Sequence, residues 1–166
     1  MIELGVVDIT TRPMSEEEGQ RLRDHAVLLP GQPPPAPGAV VVEAADGPTW
    51  AHEVRLKERV GDRVLGIGIG QAEAVSIGLG MQGFRWPRPM THDFIGDLLQ
   101  TLDDVSILRV VITRPERGTF HARLEMRHRE RVIDVDCRPS DGIAVALRLG
   151  APIVAPDELV PLLAAA

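Results

Sequence analysis

Cysteine is almost absent: among 166 residues, Cys137 stands alone. A single thiol excludes an intrachain disulfide framework and a cysteine-built zinc site, and it fits a reducing compartment. No stretch approaches the roughly 20 apolar residues that a membrane-spanning helix needs, and Met1-Ile2-Glu3-Leu4-Gly5 lacks the basic start and apolar run of an export signal. The expected location is the cytoplasm, without a membrane partner. Surplus positive charge is missing as well. Eighteen basic against 24 acidic residues give a formal charge of −6 and a pI of about 5.3, which argues against gripping nucleic acid by bulk electrostatics. A turnover enzyme needs no such surplus. Lysine is reduced to Lys57, and the remaining basic residues are arginines suited to bidentate phosphate contacts. Several signatures are also lacking: there is no P-loop, no nucleophile elbow and no H-E-x-x-H string. Gly66, Gly68 and Gly70 do not complete G-x-G-x-x-G at residue 73, so no nucleotide cofactor is expected.

What is present reads as one globular domain. Hydrophobic residues make up 44% and charged residues 25%, enough to bury a core unaided. The front is the more acidic part, with nine acidic against five basic residues over positions 1–57. A first strand runs from Ile2 towards Pro13, and Ser15 before Glu16-Glu17-Glu18 opens a short helix to about His25. The polyproline composition of Pro30 to Gly38 predicts an exposed loop that is dispensable for folding, and Val40-Val41-Val42 a short strand. Strands follow at His52 to Lys57 and at Val64 to Ile69. From Gly70 the period turns helical, with Ala74, Ile77, Gly78 and Met81 on one face. Gly78 and Gly80 each weaken that helix by ~1 kcal/mol unless close packing compensates. Arg85 to Pro89 is a constrained turn, and Thr91 is placed to cap a helix whose Phe94, Ile95, Leu98, Leu99 and Leu102 form an apolar stripe. Strands at Val105 to Thr113, Thr119 to Arg127 and Arg131 to Cys137 lead to a helix from Pro139 to Leu149 that Gly150 and Pro152 end. Ile153-Val154 and a short helix from Pro156 close the chain.

Period-2 alternation fixes the parity of the central hairpin. The tightest turn, around His128-Arg129, pairs Leu124 with Ile133, Ala122 with Val135 and Phe120 with Cys137 on a dry face. On the polar face it sets Arg123 against Asp134 and His121 against Asp136.

Four segments, in this order and spacing, resemble the bifunctional nuclease family. They are Arg63 to Gly70 with Glu73-Ala74; Arg88-Pro89-Met90-Thr91-His92-Asp93; Gly118 to Leu124; and Val135 to Ala144 with its D-x-R-P-S-D core. Together they span about residues 52–155, whereas 12–51 resembles an insertion, expected to form a surface hairpin or flap. The resemblance implies an α+β fold, a mixed and largely antiparallel sheet packed against short helices, in a single domain. It further implies a homo-oligomer, with a dimer favoured, and DNase and RNase activity, with DNA or RNA as a transient substrate. Three positions depart from the pattern: Gly68 replaces a common tryptophan, while Cys137 and Gly142 each replace a common alanine.

Phosphodiester hydrolysis needs charge stabilisation, an activated water and a proton for the leaving oxygen; acid-held divalent metal supplies the first two. Asp134 and Asp136, ~7 Å apart on one strand face, join Asp141 as candidate Mg or Mn ligands and catalytic acids. Arg138 is the candidate phosphate clamp, with Ser140 and Arg123 as further substrate contacts. The bland reading pairs Asp134 with Arg123 and leaves Ser140 and Asp141 capping a helix. His92 and Asp93 sit at a helix start that favours anions, against simple capping by Thr91 and Asp93. His121 is a candidate general acid or an exposed partner of an aspartate. Glu73 follows the glycine series where a helix start can approach phosphate, and Arg88 beside Trp86 suits gripping and stacking a nucleotide. The leading expectation is a metal-assisted nuclease of low sequence specificity. The alternatives are a non-catalytic oligomeric binding or regulatory module, and a sensor of small anions using the glycine-rich turn.

Overall fold

The computed structural model describes residues 1–13, 15, 17, 50–116, 119–157, 159 and 164–165. The helix expected at 15–25, the proline-rich loop and the strand at 40–42 lie outside the described residues, apart from Ser15 and Glu17. Among the described residues the elements follow one another as β1 (Ile2–Pro13), β2 (Trp50–Glu58), β3 (Arg63–Ile69), α1 (Gln71–Met81), α2 (Thr91–Thr101), β4 (Val105–Glu116), β5 (Thr119–His128), β6 (Arg131–Cys137), α3 (Pro139–Leu149), β7 (Ile153–Ala155) and β8 (Ala164–Ala165). By contact density the chain divides into Met1–Thr10 with His52–Ala166, and Thr11–Ala51. In the second unit, the described residues carry the end of β1 and the start of β2.

The strands form one sheet in the order β6-β5-β4-β7-β1-β2-β3-β8, seven of them three residues or longer. The architecture is α+β, with the sheet mixed and mostly antiparallel. β4 and β7 form a parallel pair, while β4–β5 and β5–β6 are antiparallel. β6 therefore runs in the same direction as β7, and α3 is the crossover that joins them across β5 and β4. Its Ile143, Ala144 and Ala146 are buried against Val110 and Ile112 of β4 and Ala122 and Leu124 of β5. Ile77 of α1 and Val54, Leu56, Leu65 and Ile67 of β2 and β3 extend the same core. No helix among the described residues is long and apolar enough to cross a membrane.

Close packing compensates Gly80: a Cβ there would lie 3.1 Å from both Leu147 Cβ and Arg148 Nη1, so the glycine lets α1 approach α3. Gly150 ends α3 in the left-handed region at φ 64°, where its N–H reaches Ala146 O. The apolar stripe of α2 runs otherwise than its periodicity suggests. Phe94, Leu98 and Leu102 are 58%, 48% and 46% exposed, while Asp93 and Gly96 are buried. Leu99 does pack against the core and Ile95 is half-buried, but the inward face is turned so that Asp93 meets an arginine of α3 there. Thr91 does not cap this helix; it is the first helical residue, and Asp93 Oδ2 accepts from the Met90 N–H at 2.9 Å.

The hairpin keeps the expected parity but slips by two residues. Leu124 faces Val135, Ala122 faces Cys137, and Arg123 faces Asp136, with His128↔Arg131 closing a turn at Arg129-Glu130. Arg129 takes φ 56° and donates its N–H to Asp104 O at 2.9 Å. A tertiary anchor thus places the turn, which strand alternation cannot see. His121 remains on the polar face with Asp136 but lies two residues beyond it. β6 is also an edge strand, covered by α3 only near Cys137, so Ile133 and Val135 stay 36% and 42% exposed rather than dry.

Two of the atypical residues touch each other. A Cβ at Gly142 would lie 2.8 Å from Val110 Cγ1 and 3.2 Å from Cys137 Sγ, so the missing methyl at 142 makes room for the sulfur at 137. Gly142→Ala alone is expected to destabilise by about 1 kcal/mol, the overpacking exceeding the helix-propensity gain. In the Cys137→Ala background the cost should shrink or change sign, a coupling of about 0.5–1 kcal/mol. Urea unfolding of the four proteins of this cycle measures it, and strict additivity would show that Val110 alone sets the clash.

Candidate functional site

The starts of α1, α2 and α3 converge, and each delivers one part of a single polar network. Pro139 at N1 begins α3 because a helix start has no use for its missing N–H. This sets Asp141 in the first turn, three residues after the N-cap Arg138. Arg138 folds onto Asp141 with two parallel bonds, Nε to Oδ2 at 2.7 Å and Nη2 to Oδ1 at 2.9 Å. Its remaining nitrogen, Nη1, reaches Glu73 Oε1 in the first turn of α1 at 2.8 Å. From α2, His92 inserts between the other two helices. Its Nδ1 is 2.8 Å from Ser76 Oγ on α1, and its Nε2 is 3.2 Å from Asp141 Oδ1. A cavity of about 450 Å³ opens over the group, bordered by Ala72, Glu73, Ser76, His92, Arg138 and Asp141 among others.

The electrostatics follow from these bonds. Arg138 holds the Asp141 carboxyl below its ordinary range, against a smaller opposing effect of burial and with help from His92. In return, Asp141 and then Glu73 push the guanidinium above its own usual value. Neutral His92 satisfies both contacts in only one tautomer. A carboxylate has no proton to give, so Nε2–H donates to Asp141 and the Ser76 hydroxyl donates to Nδ1.

Of the expected site residues, the structure brings together His92, Asp141, Arg138 and Glu73. Ser140 is buried beside them. Asp93 is on the same helix start as His92 but turns into the core, where Arg148 Nε donates to it at 2.5 Å. Burial works to raise the Asp93 carboxyl, yet Arg148 and the Met90 N–H outweigh it, and the net shift is downward. Arg88 lies exposed in the turn before α2, outside the cavity.

Asp134 and Asp136 do not join Asp141. Cys137 faces α3, so alternation along β6 turns both aspartates to the opposite face of the sheet. There Asp134 comes within 3.2 Å of Arg123, at ion-pair distance but outside hydrogen-bonding geometry. Arg123 also donates to Glu125, and His121 stands exposed on the same side. Among the described residues no three acidic, histidine or cysteine side chains cluster closely enough to hold a metal ion. The carboxylates nearest His92 are already engaged by Arg138, so the residues as arranged do not fit a divalent cation.

Sequence reasoning missed Ser76 and Arg148. Ser76 is 2% exposed on a weakly patterned helix, and only its place three residues after Glu73 marks it. Arg148 donates to Ser76 O and Ala144 O as well as to Asp93, tying all three helices together. A lone arginine in the otherwise apolar last turn of α3 was the available signal.

Two uncharacterized proteins of Mycobacterium tuberculosis, one from strain CDC 1551 / Oshkosh and one from strain ATCC 25618 / H37Rv, are each 49% identical to the chain over 98 residues. The match covers 59% of this chain and 57% of each relative, so it takes in just over half the length of those proteins. The bifunctional nuclease domain model matches residues 54–164, a span that contains α1, α2, α3 and every member of the polar network, and the chain belongs to that family.

Proposed function

We propose that the chain hydrolyses phosphodiester bonds of DNA or RNA with little sequence preference, with His92 exchanging protons and Arg138 stabilising charge on the phosphoryl oxygens. The observation that carries this reading is the chain of contacts from Ser76 through His92 and Asp141 to Arg138 along an open cavity. An imidazole is the side chain suited to passing protons near neutral pH. Ser76 and Asp141 fix its ring and tautomer. The Nε2 contact to Asp141 is the longest in the network at 3.2 Å, and it is the one a water or a leaving oxygen replaces. Arg138 presents a planar fork that fits a phosphate as well as it fits Asp141.

One observation favours a second reading. Both nitrogens of His92 are engaged and Arg138 is bridged by two carboxylates, so the network also suits a structural knot in a non-catalytic binding or regulatory module.

Cleavage assays on identically purified proteins in Mg²⁺, in Mn²⁺ and in EDTA separate the two readings. Arg138→Ala is expected to cleave at least ~10²-fold more slowly while staying folded, the loss typical of one charge-stabilising donor. Asp136→Asn, facing away from the cavity, should retain wild-type cleavage. Equal rates for wild type and Arg138→Ala would establish the structural knot.

A further inference from the structure

Behind the Glu73–Arg138 bridge lies a second pocket, of about 360 Å³, which shares only those two residues with the cavity over His92. Its walls include Gly70 and Arg138, the N-cap residues of α1 and α3. Neither helix start has a side-chain cap, so two sets of first-turn N–H groups, at the positive ends of two dipoles, are set about one pocket. Ser140 adds an independent sign of a ligand. It is only 6% exposed and lines the pocket, yet among the described residues its hydroxyl has no hydrogen-bond partner. The hydroxyl keeps access to the pocket, so it is left to bond whatever enters there.

An anion already sits here. The Glu73 carboxylate folds back over Gly70, where any Cβ would collide with Oε2, and it takes the third edge of Arg138. We infer that this pocket is a seat for a phosphate group, held in the resting protein by the Glu73 carboxylate, which an incoming phosphate displaces from Arg138. Two helix starts, a guanidinium edge and a free hydroxyl offer phosphate more donors than Glu73 uses. The phosphate is either free inorganic phosphate or the terminal phosphate of a nucleic-acid strand; the second source rests on the nuclease reading, the seat itself does not.

Calorimetric titration of the full chain with inorganic phosphate at constant ionic strength tests the seat without any cleavage. Glu73→Gln removes the competing charge and should bind phosphate about tenfold more tightly. Ser140→Ala should bind several-fold more weakly. Thr119→Glu places a negative charge at an exposed position on the pocket wall and should weaken binding about tenfold or more. Unchanged or weaker binding by Glu73→Gln would overturn the displacement. Phosphate affinity indifferent to both Ser140→Ala and Thr119→Glu would overturn the seat. Oligonucleotides with and without a 5′-phosphate distinguish the sources: a preference for the 5′-phosphate that Thr119→Glu abolishes assigns the strand end, and no preference assigns free phosphate. If phosphate follows this pattern while Arg138→Ala cleaves as fast as wild type, the nuclease reading fails and the seat stands.

Discussion

Arg148→Met is expected to destabilise the fold by about 3–5 kcal/mol, the cost of leaving one member of a buried ion pair without the other. Side-chain exposures of 9% for Arg148 and 5% for Asp93 leave neither group to solvent. The guanidinium also donates to Ser76 O and Ala144 O, so its loss strands a carboxylate and removes one further bond to α1 and one within α3. The pH dependence makes the prediction specific. In the wild type the Asp93 carboxyl is depressed, so its contribution is fully present above the ordinary carboxyl value of about 3.9 and is lost as pH falls through the folded-state value. In Arg148→Met, burial prevails and raises the same carboxyl. Stability should then increase as pH falls from neutrality towards about 4, a range over which Asp93 contributes no slope in the wild type. The double variant Asp93→Asn/Arg148→Met removes the stranded charge and should recover much of the loss. Denaturant midpoints for the three proteins between pH 4 and 7 decide the matter. A single variant within 1 kcal/mol of wild type and with the wild-type slope would mean that Asp93 finds another partner.

The contrast between Asp93 and Asp136 shows how far sequence carries a site. Alternation and turn chemistry located α3 from Pro139 to Leu149 and β6 from Arg131 to Cys137 to the residue, because Pro139, Gly150 and period-2 patterning are local causes. The same alternation determines that Asp134 and Asp136 share a face. It does not determine which face the crossover helix covers, and that depends on where β7 pairs along β4. The answer turns Cys137 inward and both aspartates away from Asp141. For α2, the apolar stripe is legible but not how it is turned: Leu99 reaches the core, while the buried Asp93–Arg148 pair leaves Phe94, Leu98 and Leu102 outside. His92, Arg138, Asp141 and Glu73 were legible only as members of motifs; that they meet is a consequence of three helices starting at one place. Ser76 carried no signal of its own because its role exists only once α2 lies beside α1.

His92→Gln should lower kcat for phosphodiester cleavage by about 10²- to 10⁴-fold, the usual contribution of a positioned acid–base group. Glutamine retains a polar side chain between Ser76 and Asp141, so the protein should stay folded, and KM should change little because Arg138 remains to hold phosphate. Ser76→Ala offers the graded comparison. It removes only the bond that orients Nδ1, and as a positioning change it should cost about tenfold in kcat, the effect of losing one neutral hydrogen bond of roughly 1.4 kcal/mol. The rate profile adds a readout that a purely structural histidine would not affect. Asp141 is held below its usual range, first by Arg138, so its protonation affects rates only below about pH 4. A limb in log kcat between about pH 5 and 8 is therefore not Asp141, and imidazole chemistry is its natural source. Comparing the profiles of wild type, Ser76→Ala and His92→Gln reads whether His92 takes part in that step. A His92→Gln protein that cleaves at the wild-type rate per folded molecule, with its profile intact, would remove His92 from the reaction and leave the three-helix knot as its whole role.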